Sequence, residues 1–121
     1  MYPNSVLEKI YVKGSLKNTA NGFELAVKNV VDSANVAGLG PLVVDEVSYP
    51  PESISWVTER GEQRGDALSY RSPAYFSFGA QARILVHGQP LSAGEHSLTL
   101  TALVSEAGRL QFSVKDIVAG E

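Results

Sequence analysis

Two histidines, His87 and His96, are the only imidazoles in the chain, and they flank a turn marked by Gly88 and Pro90. A zinc or iron ion shared between them would need more nitrogen or carboxylate donors. Neither His-x-His nor His-Glu-x-x-His spacing accompanies them. A small metalloenzyme built on this pair is one reading. The plainer one has a histidine at a strand end, His96 in particular, bonding a backbone carbonyl at the rim of a core. Glu59, Glu62 and Asp66 could be paired for acid and base work, yet Arg60, Arg64 and Arg71 share their stretch, so surface ion pairs are the expected outcome. No Gly-x-Ser-x-Gly elbow and no cysteine is present to act as a nucleophile. Gly38-Leu39-Gly40 lacks the third glycine and the following helix of a dinucleotide loop and reads as a turn. Tyr70, Arg71, Tyr75 and Phe76 admit two readings: they fold back over an open end of the domain, or they form a protein-binding patch of large side chains with polar ends.

The elements that must carry these residues are strands. From His96 to Val104 the even positions are largely apolar while Ser97, Thr99 and Thr101 face the other way, which is a strand with one dry face. Beyond Ser105-Glu106-Ala107-Gly108 the alternation resumes at Leu110, Phe112 and Val114, giving an antiparallel hairpin. A lone hairpin is marginal in water, so its apolar face needs a second sheet. Upstream, Ile10, Val12 and Leu16 suggest a first strand with Tyr11 on its outer face. Asn21-Gly22 reverses the chain into Phe23, Leu25 and Val27. The segment from Asn29 reads as a strand continuing to Val31, then a crossing loop. Leu42–Val44 and Val47–Tyr49 form a short hairpin around Asp45-Glu46, closed by Pro50-Pro51. Ile54 and Trp56 follow, with Trp56 as the core plug. Ala82, Ile84 and Val86 define a further strand. The expected class is all-β, a two-layer antiparallel sandwich of jelly-roll or immunoglobulin-like type with seven or eight strands. One domain spans 1–121, with 1–5 loose and 59–79 a long functional or interface loop.

Composition narrows the partners. A net charge of -3, spread without a basic stripe, argues against nucleic acid. The start of the chain has neither a basic flank nor an apolar run, and no stretch approaches the roughly 20 apolar residues of a membrane helix. With no cysteine to form disulfides, a soluble cytoplasmic protein is expected.

Three stretches, YVKGSLKNTANGFELAVKN at 11–29, AGLGPLVVDEVSYPPESI at 37–54 and LSAGEHSLTLTALVSEAGRLQFSVKDIV at 91–118, resemble the small β subunit of bacterial C-glycoside deglycosidases. At the mid-chain turn this sequence has Val44-Asp45-Glu46 where that family's Val-Asp-Gly is expected. The resemblance implies a noncatalytic subunit in a heteromeric C–C lyase. Its TIM-type barrel α subunit would hold a divalent metal, usually manganese, and cleave flavonoid-type 3-oxo-C-glycosides by elimination. It implies no catalytic residue, no metal and no cofactor in this chain, which would stabilise the barrel and line its entrance. Composition rather than family places the partner interface or substrate rim at Arg60, Arg64, Tyr70, Arg71 and Tyr75. The alternative is a freestanding carbohydrate- or protein-binding sandwich.

Overall fold

The alternating runs become antiparallel strands in a computed structural model that describes residues 3–119. In chain order these are β1 (Lys17–Thr19), β2 (Gly22–Lys28), β3 (Ala34–Leu39), β4 (Leu42–Val44), β5 (Val47–Tyr49) and β6 (Ile54–Thr58). They continue as β7 (Gly61–Arg64), β8 (Ala74–Phe76), β9 (Gln81–His87), β10 (Gly94–Val104) and β11 (Gly108–Val118). One sheet runs β1-β2-β9-β6-β7; the other runs β5-β4-β10-β3-β8, with β11 added on β10. All pairings are antiparallel, and the class is the expected all-β sandwich.

The β10–β11 hairpin is the longest pairing, in unbroken register from Gly94↔Val118 to Val104↔Gly108. With β11 along one edge of β10, both β3 and β4 meet the other edge, β3 near Val104 and β4 near Leu98. The break between them is Gly40–Pro41, a cis peptide.

The two layers close on Phe23, Leu25 and Ile54 from one sheet and Val44 and Leu98 from the other, all essentially sealed from solvent. Two edge-to-face aromatic pairs span the layers. Trp56 of β6 meets Phe76 of β8 with ring centres 4.9 Å apart, and Phe23 of β2 meets Tyr49 of β5 at 5.3 Å. Each such pair adds about 0.5–1.5 kcal/mol beyond its buried area. Trp56 is the core plug its size suggested.

Several expectations change. The described residues form eleven strands rather than seven or eight, and the additions are mostly three- and four-residue pieces too short to show alternation. No first strand covers Ile10 to Leu16. Instead α1 (Asn4–Leu7) and a 3-10 turn (Glu8–Ile10) precede the sheet, started by the Pro3 carbonyl, which accepts from Val6 and Leu7 at 3.0 and 3.1 Å. Residues 3–5 of the expected loose start therefore enter a helical turn, and residues 1 and 2 lie outside the described residues. Tyr11 is buried, not outward, and bridges to Val27. β2 stops at Lys28, and the supposed crossing loop contains β3. The 59–79 stretch is more ordered than its charged composition suggests, since β7, a 3-10 turn (Gly65–Ala67) and β8 lie within it.

The Asp45-Glu46 turn is tight without glycine. Both residues adopt the left-handed region, at φ 47° and 74°, as a two-residue hairpin loop of the twist-matching kind requires.

Candidate functional site

Between the sheets lies a cavity of about 330 Å3. Val27, Ile84 and Trp56 form one wall and Val36, Leu100 and Phe112 the other. Leu7 and Ile10, on the helical turns that replaced the expected first strand, close one side. Its exposed lining residues are Asp32 and Ser33, before β3, and Glu106 and Ala107, in the β10–β11 turn, so the mouth is there. The polar groups near the mouth are occupied. Buried Asn29 donates to the carbonyls of Asp32 and Phe76 at 2.7 and 2.8 Å and accepts from the amides of Val31 and Asp32. Glu106 accepts from the Asn35 amide at 3.0 Å and from its side chain at 2.8 Å. These bonds hold the Glu106 carboxyl below its usual range, the backbone one chiefly. The Trp56 indole Nε1, in contrast, is buried with no partner among the described residues.

Two further polar groups sit where an alternating strand should be apolar. On β11 the inward phase Leu110, Phe112, Val114, Asp116, Val118 includes a buried carboxylate. Asp116 Oδ2 accepts from the Tyr11 hydroxyl at 2.5 Å and from the amides of Gly14 and Leu16 at 2.9 and 3.3 Å, while Oδ1 accepts from the Ile117 amide at 2.8 Å. Burial by itself would raise this carboxyl, but Tyr11 and the three amides outweigh it and hold it below the ordinary range. Burial first, and the bond to Asp116 second, push the Tyr11 phenol well above its usual value.

On β10 the inward phase begins with His96. Its Nε2 faces the Ser92 carbonyl at 2.7 Å and its Nδ1 faces Asp45 Oδ2. Both neighbours accept only, so both ring nitrogens must carry protons and the ring is an imidazolium. The Ser92 carbonyl first, then Asp45, raise its pKa. Asp45 is lowered, chiefly by the Ser97 amide at 2.8 Å and then by His96.

The backbone-carbonyl role expected of His96 is therefore present, and the ion pair to Asp45 is an addition. His87 lies on β9 in the opposite sheet. No group of three or more histidine, cysteine or acidic side chains among the described residues is placed to hold a metal. Asp66 forms the expected surface ion pair: Arg64 Nε and Nη2 donate to its two oxygens at 2.5 and 3.0 Å, and this partner lowers the Asp66 carboxyl.

The five residues placed at an interface are distributed rather than converged. Arg60 is in the β6–β7 turn and Arg64 ends β7, the edge of one sheet; Tyr75 is on β8, the edge of the other. Tyr70 and Arg71 fall in the turn that crosses between the layers, pinned by reciprocal bonds of Ser69 and Ser72. All five are exposed. Tyr11, Asn29, Asp45 and Asp116 were missed as a polar framework, although a charge in the apolar phase of β11 was a visible signal for Asp116.

No helix among the described residues is long and apolar enough to cross a membrane. No curated protein matches the chain. The family model described as hydroxymethylglutaryl-CoA reductase, N-terminal domain, matches residues 6–119. That match overturns the resemblance to C-glycoside deglycosidase small subunits, and with it the role in a C–C lyase and the flavonoid 3-oxo-C-glycoside substrate. The stretches that carried the resemblance are hairpin turns and alternating strands, features that sandwiches share through β geometry rather than through chemistry. The barrel partner and its manganese rested on that resemblance and have no other support in the chain.

Proposed function

The chain belongs to the hydroxymethylglutaryl-CoA reductase N-terminal domain family, and we propose that it is the accessory sandwich of an oxidoreductase acting on hydroxymethylglutaryl-CoA. In this reading it docks a catalytic unit and contributes no reacting group. The observation that carries the docking role is the exposure of three aromatic side chains on and around edge strand β8: Tyr70 at 63% in the turn before it, Tyr75 at 53% on it and Phe78 at 65% just after it. An aromatic ring next to an arginine, here Tyr70 and Arg71 in the crossing turn, is the composition that anchors protein interfaces. Tyr75 also lies on an edge strand, where a partner can add backbone bonds. The carboxylates with shifted pKa values fit a structural role: Asp45, Asp66, Glu106 and Asp116 are all lowered by bonds to the fold, which keeps them ionised at neutral pH.

The reducing cofactor belongs to the catalytic unit, a cytoplasmic location suits the cysteine-free composition, and the net charge of -3 disfavours nucleic acid. The test pairs the chain with a reductase catalytic unit from the same organism. Wild type co-elutes with it and raises its consumption of hydroxymethylglutaryl-CoA. The double variant Tyr75→Ala, Phe78→Ala loses co-elution while its β-type circular dichroism is unchanged. Turnover by this chain alone, or no association with the catalytic unit, defeats the reading.

A further inference from the structure

We propose that His96 is a proton-operated latch: as an imidazolium it clamps the tip of the β4–β5 hairpin against β10, and on losing its proton it lets that tip swing away. The inference does not depend on the docking reading. The tip is poorly supported by its own residues. Asp45 and Glu46 are both exposed and left-handed, a conformation that penalises residues with side chains. β4 and β5 are three residues each, and an isolated two-stranded hairpin is marginal in water. The base of the hairpin is anchored, because Leu42 and Val44 are buried and Tyr49 packs edge-to-face with Phe23. The tip is anchored through one residue. Asp45 donates its amide to the Ser97 carbonyl at 3.0 Å, accepts from the Ser97 amide through Oδ1 at 2.8 Å, and meets His96 Nδ1 through Oδ2. Its carboxylate therefore makes two of the three contacts that hold the tip down.

The ring has no neutral form that satisfies both of its neighbours. The Ser92 carbonyl and the Asp45 carboxylate accept only, whereas a neutral imidazole has a single N–H, so one contact must become lone pair against lone pair. The contact that yields is Asp45. Ser92 follows Leu91, whose amide and carbonyl are both held by the Asn18 side chain, at 2.8 and 2.9 Å. Asp45 instead sits at an exposed turn, where its carboxylate can rehydrate. The remaining proton stays on Nε2, and Asp45 turns outward together with its bond to the Ser97 amide. Other charged groups do not replace it. Asp116 of β11 stands opposite His96, but its oxygens accept from Tyr11, Gly14, Leu16 and Ile117, and burial keeps the Tyr11 phenol protonated. Glu95 and Lys115 belong to the other phase of β10 and β11, and Glu46 is exposed beside Asp45. The Ser92 carbonyl first, then Asp45, raise the pKa of His96 above 6.5, so the latch is shut below 6.5 and opens as pH rises through the folded value.

Amide hydrogen exchange on the 15N-labelled chain, corrected for the base catalysis of exchange itself, reads the latch. As pH rises, protection of the Ser97 and Asp45 amides falls by at least about tenfold, the worth of a hydrogen bond to a charged group. The midpoint coincides with that of the His96 ring signals. The amides of β9, central in the other sheet, keep their protection, which separates a local opening from unfolding. Asp45→Asn exchanges the chemistry: its Nδ2 donates to the deprotonated Nδ1, its oxygen still accepts from Ser97, and asparagine tolerates the left-handed backbone. In that variant Ser97 protection no longer falls as pH rises. His87→Gln, which removes the other imidazole, on β9, leaves the response intact. Should Asp45→Asn fail to fold, the wild-type and His87→Gln measurements still decide. Ser97 protection that is flat across the His96 titration, or that falls together with β9, overturns the latch. A fall of equal size in Asp45→Asn, or loss of the response in His87→Gln, does the same.

Discussion

His96 and Asp116 are directly opposed partners across β10 and β11, so their side chains point to the same face, yet each is bonded to a different part of the chain. His96 is fastened to Asp45 of the β4–β5 turn and to Ser92; Asp116 is fastened to Tyr11, Gly14 and Leu16 of the N-terminal segment. One cross-strand position thus ties two remote segments, the β4–β5 turn and the N-terminal segment, to the central hairpin. The hydrogen bonds of the two groups decide which segments dock.

Stability should peak at mildly acidic pH. His96 has a raised pKa in the fold, so its contribution is complete below its ordinary value of 6.5 and is lost as pH rises through the folded value. Asp116 and Asp45 have lowered values, so their contributions are present above the ordinary 3.8 and are lost as pH falls through the folded values. The Ser92 carbonyl and Asp45, both bonded to the ring, favour the cation. Urea midpoints measured across the range read this directly. A flat curve from about pH 6 to pH 9 would contradict the imidazolium assignment.

Tyr11→Phe removes one of four donors to a buried carboxylate and leaves the ring in place. Expected is a loss of about 1–3 kcal/mol at neutral pH and a shift of the acid transition to higher pH. Chemical denaturation at two pH values checks both. An unchanged acid limb would mean that the amides alone hold Asp116.

Glu46→Gly should stabilise. Glu46 is exposed and left-handed at φ 74°, which costs a side-chain-bearing residue about 1–2 kcal/mol, whereas glycine adds only about 0.4–1 kcal/mol of unfolded-chain entropy. The net gain is roughly 0.5–1 kcal/mol, seen as a higher melting temperature. Asp45, the other left-handed residue, should not tolerate the same change, because its carboxylate holds His96 and the Ser97 amide.

Gly22→Ala should be among the most damaging glycine substitutions, since Gly22 is buried at the start of β2. An added Cβ would lie 2.0 Å from the Val86 carbonyl oxygen, a backbone atom in the paired strand β9, so β2 and β9 must separate. The cost is about 3 kcal/mol or more. Gly14→Ala is the control: its Cβ meets nothing within 4 Å, and only the left-handed φ of +88° is penalised, at about 1–2 kcal/mol. Equal losses in thermal melts of the two variants would refute the steric account.

The β10–β11 hairpin, β9 and the short β4–β5 hairpin were legible because alternation and turn residues lie within a few positions of each other. The segment at Ile10 was not legible, since two apolar residues two apart fit the edge of a helical turn as well as a strand. β8 was hidden by its length of three residues and by a pairing with β3 some forty residues upstream. The proposed interface residues illustrate the same limit. Composition picked out Arg60, Arg64, Tyr70, Arg71 and Tyr75, but only the crossing between layers shows that they divide over two sheet edges.

The order of residues by itself determined that this chain would be all-β in class, where several of its hairpins turn and that Trp56 would be internal, because period-two patterning and tight turns are local physics. The tertiary structure decided what Asp116 and His96 are for and where space remains between the sheets. A buried carboxylate takes its meaning from a phenol 105 residues away, and a cavity exists only where two packed faces fail to meet. Neither is encoded in any window of neighbouring residues.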